Sequence, residues 1–176
     1  DAHGFAAGMD LKLYGELVPG ADSWISFSLM KTQERLLDFG DEWIDRPTDQ
    51  RCSFKLFLQD NIPTIPFWRM SLNFVVGTGI PTLRPNSSDR GNQLRLPPYY
   101  RVDWGNTLQL SRFEKLRNKP FFQKVDDLEI SLEVFNLFNY HNVVSFLWVA
   151  DYTNTYMPVP EYLTARQLNL RLTLLF

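Results

Sequence analysis

The stretch Leu168-Asn169-Leu170-Arg171-Leu172-Thr173-Leu174-Leu175-Phe176 alternates apolar and mostly polar residues and stops on an aromatic. In an extended strand, successive side chains point to opposite faces. Leu168, Leu170, Leu172, Leu174 and Phe176 therefore share one face, and Asn169, Arg171 and Thr173 share the other. A soluble sheet can contain one such strand. Recurrence of the pattern along almost the whole chain points instead to the wall of a transmembrane β-barrel, with lipid outside and a wet lumen inside.

Working back from the C-terminus, Leu128, Ile130, Leu132 and Val134 oppose Glu129, Ser131 and Glu133. Tyr100, Val102, Trp104, Leu108 and Leu110 oppose Arg101, Asp103, Gly105, Thr107, Gln109 and Ser111. Trp68, Met70, Leu72, Phe74, Val76 and Ile80 oppose Arg69, Ser71, Asn73, Gly77 and Gly79. Cys52, Phe54, Leu56 and Leu58 oppose Arg51, Ser53, Lys55 and Gln59, with Phe57 out of pattern. Ile25, Phe27 and Leu29 oppose Trp24, Ser26, Ser28 and Met30, and Phe5 to Leu17 alternate in the same way. The expectation is an all-β, antiparallel transmembrane β-barrel segment of about seven strands, each able to cross a bilayer with ~9–11 tilted residues. A helix would need apolar residues at i, i+3, i+4 and i+7, and these segments repeat at two.

Composition agrees with this reading. A mean hydropathy of −0.24 and the lack of a long apolar run exclude a transmembrane helix, but not a barrel, whose strands are half polar. Aromatics make up 15% of the chain, which suits interfacial girdles. A formal net charge of −2 gives no electrostatic case for nucleic acid. Cys52 is the only cysteine and falls in the apolar phase, so it reads as a small apolar residue. His3 and His141 are the only histidines, far apart in sequence. No metal-ligand spacing and no nucleophile–base arrangement stands out, so neither cofactor nor catalysis is expected.

The connections alternate in length. Val18–Asp22 and Asn61–Pro66 are short and proline-punctuated, while Leu37–Gln50, Pro81–Pro98 and Asp151–Glu161 are long and polar. Outer-membrane barrels keep short turns periplasmic and long loops outside, and counting back from a periplasmic C-terminus puts all three long segments outside. Glu114–Asp127 departs from the rule, being long, basic and on the periplasmic side. About seven strands is an odd count, whereas single-chain bacterial barrels have even ones. The expectation is thus the C-terminal part of a bigger barrel, with residues 1–176 forming one unit without a plug and beginning at a processed or truncated start.

Several of these segments resemble a known family. Arg51–Pro63, Gly77-Thr78-Gly79-Ile80-Pro81, Leu96–Asp103, Leu132-Glu133-Val134-Phe135-Asn136-Leu137-Phe138-Asn139 and Val159–Leu168 look like the C-terminal barrel strands of TonB-dependent outer-membrane receptors, in their Bacteroidetes flavour. The resemblance covers nearly the whole chain. It is most specific at Asn136–Asn139 and the final strand. It implies a 22-stranded barrel in the bacterial outer membrane, an N-terminal plug, and a segment engaging TonB. Such receptors import siderophores, cobalamin, glycans or peptides on the inner-membrane proton gradient. The implied partners are the bilayer with its lipopolysaccharide, the remaining strands and plug on the same or another chain, TonB through an N-terminal region, and a surface lipoprotein. The C-terminal strand ending in Phe176 resembles the signal read by the barrel-assembly machinery, which strand addition would capture.

Individual residues follow from this frame. Lys55, Arg69, Arg101, Asp103, Glu129, Glu133 and Arg171 fall on the lumen face, to attract polar solute, meet a plug or pair with one another across strands. Trp68, Tyr100, Trp104 and Trp148 are the interfacial aromatics, with Trp24 and Tyr99 on the polar phase. Lys31 follows Ile25, Phe27 and Leu29 in the outward phase, where its stem can snorkel to the outer interface. Trp43, Arg84, Arg90, Arg95, Tyr152 and Tyr156 are candidate outer-loop ligand contacts. Asp38, Asp41, Glu42, Asp45 and Asp49 crowd carboxylates into the first outer loop, where a solvated loop face is the simpler alternative to a Ca²⁺ site. The reading is thus a receptor or transporter wall, not an enzyme. Two alternatives stay open, a structural or assembly component that imports nothing, and a soluble β-barrel carrying an apolar ligand.

Overall fold

The computed structural model describes residues 2–16, 22–36, 42–62, 64–85, 93–113 and 125–175. The fold is an antiparallel all-β meander. Its long strands are β1 (Ala2–Gly15), β2 (Asp22–Leu36), β4 (Cys52–Ile62), β5 (Ile65–Gly77), β8 (Tyr99–Gln109), β9 (Asp127–Phe135) and β12 (Gln167–Leu175), hydrogen-bonded in that order. Each alternating run of the sequence forms one of them. Among the described residues the sheet is open, with β1 and β12 as its edges. The short strands β3 (Ile44–Asp45), β6 (Pro81–Thr82) and β7 (Leu94–Arg95), and the hairpin β10 (Val143–Ala150)–β11 (Tyr156–Tyr162), all lie in the connections.

Register carries the two-faced pattern across the sheet. Gly15, Ser23, Leu58, Leu72, Trp104, Val134 and Leu168 stand opposite one another in a single row. Parallel to it run Leu13–Ile25–Leu56–Phe74–Val102 and Leu11–Phe27–Phe54–Val76–Tyr100. Nearer the other end lies Trp68–Leu108–Ile130–Leu172. A slip of one residue in any strand would interleave polar and apolar side chains. One face of the sheet is therefore apolar across its width.

Much of that face is uncovered, on the interior strands too, where Leu29 is 41%, Leu132 40% and Met70 36% exposed, although Leu128 and Val134 are buried. Among the described residues the buried hydrophobics are Ile44, Leu96, Val125, Leu128 and Val134.

The rows also climb. Gly15, the last residue of β1, shares a row with Leu168, the second residue of β12. Strand ends therefore shift by roughly one and a half residues per neighbour, which at ~3.3 Å per residue and ~4.8 Å between strands gives a tilt of about 45°.

Antiparallel alternation puts the β2–β4, β5–β8 and β9–β12 connections at one end of the sheet. Each contains β-structure of its own. β3 pairs with β2 through Gln33–Asp45 and Glu34–Ile44, and β6 pairs with β7 through Pro81–Arg95 and Thr82–Leu94. Gly79 leads into β6, where a Cβ would fall on the carbonyl oxygen of Leu96. Only glycine allows that approach.

The third connection corrects the expectation of a loop over Asp151–Glu161. Most of that segment is β11, paired with β10, and only the tip around Asp151–Thr155 is a turn. Trp148 belongs to β10, off the main sheet, with its ring edge-on to Phe146. The basic segment read as Glu114–Asp127 lies mostly outside the described residues, as do Asp38, Asp41, Arg90 and Phe176.

Candidate functional site

The polar face of the sheet carries the most developed constellation. Lys12, Tyr14, Trp24, Phe57, Asn73, Asp103, Glu133 and Phe135 all belong to its phase. Tyr14, Trp24, Phe57, Asn73 and Asp103 form one cross-strand row. Trp24 and Phe57 stack at 6.0 Å between centroids, 21° apart. The Lys12 ammonium lies 4.6 Å from the Tyr14 centroid and 5.0 Å from that of Trp24. Beside this aromatic run lies a cleft of about 360 Å³, lined by Trp24, Phe57, Asn73, Asp103, Glu133 and Phe135 among others. It spans β2, β4, β5, β8 and β9 on the polar side of the sheet.

The charged residues expected on this face are on it, and most are partnered there. Arg101 Nε donates to Asp103 Oδ1 at 2.7 Å, with its guanidinium 5.5 Å from the Phe135 centroid. Asp103 also accepts from the Asn136 N–H at 2.9 Å and Asn73 Nδ2 at 3.3 Å. Glu133 accepts from Asn169 Nδ2 at 2.8 Å and has Arg171 at 3.9 Å. Ser131, almost fully buried, meets Thr107 at 3.0 Å and donates to Glu129 at 3.4 Å. Lys55 and Arg69 are exposed. The cleft thus sets the rings of Trp24, Phe57 and Phe135 beside the Asp103 and Glu133 carboxylates and the Asn73 amide.

At the long-connection end, Arg95 is not a free ligand contact. Its Nη2 donates to Asp45 Oδ2 at 2.6 Å and also to Asp49, and its Nη1 donates to the Asp49 and Gly79 carbonyls at 3.0 Å each. Arg51 joins from below, with Nη2 2.8 Å from Asp45 Oδ2 and Nε on Asp49. Asp49 is completely buried and accepts the Thr32 N–H at 2.6 Å. Burial pushes the Asp49 carboxyl upward, but hydrogen bonds from Arg95, Thr32 N–H and Arg51, with the Arg51 charge, hold it below the usual range. Burial likewise opposes, and Gln33, Arg95 and Arg51 overcome, the same effect at Asp45. The Asp49 bond raises the Arg51 guanidinium further despite its burial. This cluster clasps the first long connection to the second, and uses carboxylates the sequence left as a solvated face.

The other loop candidates scatter. Trp43 packs edge-on to Phe5 at 5.3 Å, Arg84 is exposed, and Tyr152 is fully exposed at the hairpin tip. Tyr156 is half-buried in β11. At that tip, hydrogen bonds from Thr153 and then the Thr155 N–H hold the Asp151 carboxyl below its ordinary value. Trp68, Tyr100 and Trp104 lie on the apolar face. Trp68 stands at the short-turn end and Tyr100 at the other, whereas Trp104 stands mid-strand between Leu72 and Val134.

Two features escaped the sequence reading. Asn106 sits on the apolar face, where its Oδ1 accepts the Trp68 indole N–H at 2.9 Å. Asn136 and Asn142 build a corner. Asn136, at φ 53°, bonds the Tyr140 N–H and carbonyl at 2.9 Å each, and Asn139, at φ 54°, accepts the Arg166 N–H. Asparagine tolerates this left-handed backbone better than other side chains. The available signal was the Asn-x-x-Asn-x-x-Asn spacing. Comparison with protein-family models, curated proteins and solved structures returns no match for this chain.

Proposed function

We propose that this chain is wall of a bacterial outer-membrane β-barrel of the TonB-dependent receptor kind, taking part in uptake of a nutrient ligand. One observation carries the reading: the apolar rows align across every long strand on one side of the sheet, and much of the face they form is uncovered. In water such a face would be a severe liability, and in a bilayer it is the required surface. Further support comes from the stagger, which matches the tilt of membrane barrels. The cleft lies on the polar side, as an aqueous bore requires, and the long connections share one end. A soluble carrier of an apolar ligand would reverse the faces.

Open edges at β1 and β12 in lipid would cost several kcal/mol per unpaired group. Further strands therefore complete the wall, and a plug fills the bore against the aromatic cleft. The β10–β11 hairpin, with Leu147, Val149, Met157 and Val159 exposed, offers a surface to a lipoprotein partner outside.

Bilayers with brominated acyl chains test the orientation. Single-tryptophan variants retaining Trp68 or Trp104 should be quenched strongly and one retaining Trp24 weakly. The reverse order would overturn the reading. For the uptake role, cross-linking in cells should capture a plug-bearing polypeptide, continuous with this chain or paired to it. A wall with no plug would leave a structural component that imports nothing.

A further inference from the structure

We propose that the free edge of β10 takes an extended, uncharged segment of a partner polypeptide as an added strand, with an aliphatic side chain of that segment seated in a cavity at the hairpin base. The inference goes beyond the wall reading and holds whether the main sheet meets lipid or water.

Proline makes the two edges of the hairpin different. In an antiparallel pair the backbone groups of alternate residues bond the partner strand, and those between them point away. Pro158 stands opposite Trp148, and Pro160 opposite Phe146. Proline has no N–H to exchange, so these are non-bonded pairs, and Ser145–Glu161, Leu147–Val159 and Val149–Met157 carry the ladder. The turn agrees, because the Asp151 N–H bonds the Thr155 carbonyl at 3.0 Å, next in the same series. The backbone of Pro158 and Pro160 therefore faces outward, where the missing donors block strand addition along β11.

On β10 the outward backbone belongs to Phe146, Trp148 and Ala150, with every donor intact. Among the described residues the hairpin is a sheet of its own, and no backbone bond reaches these groups. The bulge lies at the foot of the strand, so Ser145 to Ala150 runs regular, without charge or proline. None of the usual protections of an exposed edge is present there. A ribbon of two strands is also marginal by itself and gains from a third.

At the base of the same strand, Val143 and Val144 line a cavity of about 180 Å³ together with Ile80, Leu96, Pro97 and Leu163. It has room for a branched aliphatic side chain, and no charged residue lines it. A short free peptide would bring charged termini that neither edge nor cavity answers. An internal segment of a longer polypeptide brings none. Backbone pairing supplies affinity, and the cavity supplies selection.

The full chain in detergent would be titrated with a capped peptide of alternating valine and threonine with a central leucine. Amide exchange at Phe146, Trp148 and Ala150 should be fast in the free chain and slow about 10-fold on binding, while Leu147 and Val149 stay slow throughout. N-methylating the peptide amides that face β10 should weaken binding about 10-fold, and methylating the alternate set should change nothing. Replacing the leucine by alanine should cost about 10-fold as well. Trp148→Pro removes an outward donor and no ladder bond, and should weaken binding like the methylated peptide. Protection of Phe146, Trp148 and Ala150 in the free chain equal to that of their neighbours would overturn the proposal. So would binding indifferent to which amides are methylated, which decides the matter even if Trp148→Pro does not fold. An uncapped peptide that binds as well as the capped one would make the occupant a free peptide and overturn it too. Lipid quenching of Trp68 and Trp104 is untouched by any of these outcomes, so the wall reading stands or falls separately.

Discussion

Asn142 pairs with the backbone of Tyr100 through both ends of its amide. Its Oδ1 accepts the Tyr100 N–H at 2.9 Å, and its Nδ2 donates to the Tyr100 carbonyl at 2.8 Å. Strand β9 pairs with β8 only from Trp104 to Gln109, so beyond Trp104 the β8 edge has no strand beside it. Asn142 stands in for that strand, and the Leu137 N–H does the same at the Val102 carbonyl, 2.7 Å away. All three bonds run to β8 backbone groups that no strand reaches, and Asn142 itself is buried.

Asn142→Ala should therefore cost ~1–2 kcal/mol, the penalty of leaving a part-buried donor and acceptor without partners. Hydrogen exchange at the Tyr100 amide should accelerate accordingly. Asn139→Ala, which loses one exposed bond to the Arg166 N–H, should cost well under ~1 kcal/mol. Equal effects would mean that the corner is held by something other than Asn142.

The long strands were legible because a period of two survives any context once one face must be apolar. Leu168 to Leu174 needed no partner to reveal their face. Val143–Val149 did not announce a strand, because its apolar residues run together without alternation and its partner β11 holds Pro158 and Pro160. The aromatic cleft was half visible, with Trp24 and Phe57 recognisable as exceptions to the pattern. Their stacking depends on a register no single strand encodes. The clasp was invisible for the same reason, since Asp49 and Arg95 lie far apart in sequence and meet only when two connections fold against each other.

The clasp should be indifferent to mild acid. Asp45 and Asp49 are held below their unfolded values. The stability they contribute is present above the unfolded value of ~3.9 and is lost only as pH falls through the lower folded values. Exchange at the Thr32 amide, corrected for intrinsic rate, should stay flat from pH 7 to about 5 and rise only below ~4. Asp49→Asn should cost ~1.5–3 kcal/mol. That is less than a fully buried pair because water reaches both guanidinium groups. A rise in exchange near neutral pH would contradict the charge-assisted bonds.

Gly79→Ala should open the second connection while sparing the sheet. The added methyl meets the Leu96 carbonyl oxygen, and backbone cannot swing aside as a side chain can. Separating the two segments breaks the Leu96 N–H bond to Ile80, 2.9 Å, and withdraws the Gly79 carbonyl from Arg95. A loss of ~1–3 kcal/mol is expected. It would be read as faster proteolysis between Thr78 and Pro98 with unchanged far-ultraviolet circular dichroism. Resistance equal to the parent would show that the backbone relaxes at no cost.

The assignment of faces meets its sharpest test at adjacent residues of β12. Leu172 stands in the apolar row with Ile130, and Thr173 faces Glu129 on the polar side. If acyl chains cover the first and water the second, Leu172→Arg should cost ~2–4 kcal/mol near mid-membrane, and Thr173→Arg far less. The Glu129 carboxylate opposite even gives the new guanidinium at residue 173 a partner. Folding titrations into vesicles measure both. The same substitutions in a water-soluble sheet would invert or equalise, because arginine on an exposed apolar face gains water whereas arginine in a packed interior loses it. Equal costs in the bilayer would mean that neither side of β12 meets lipid.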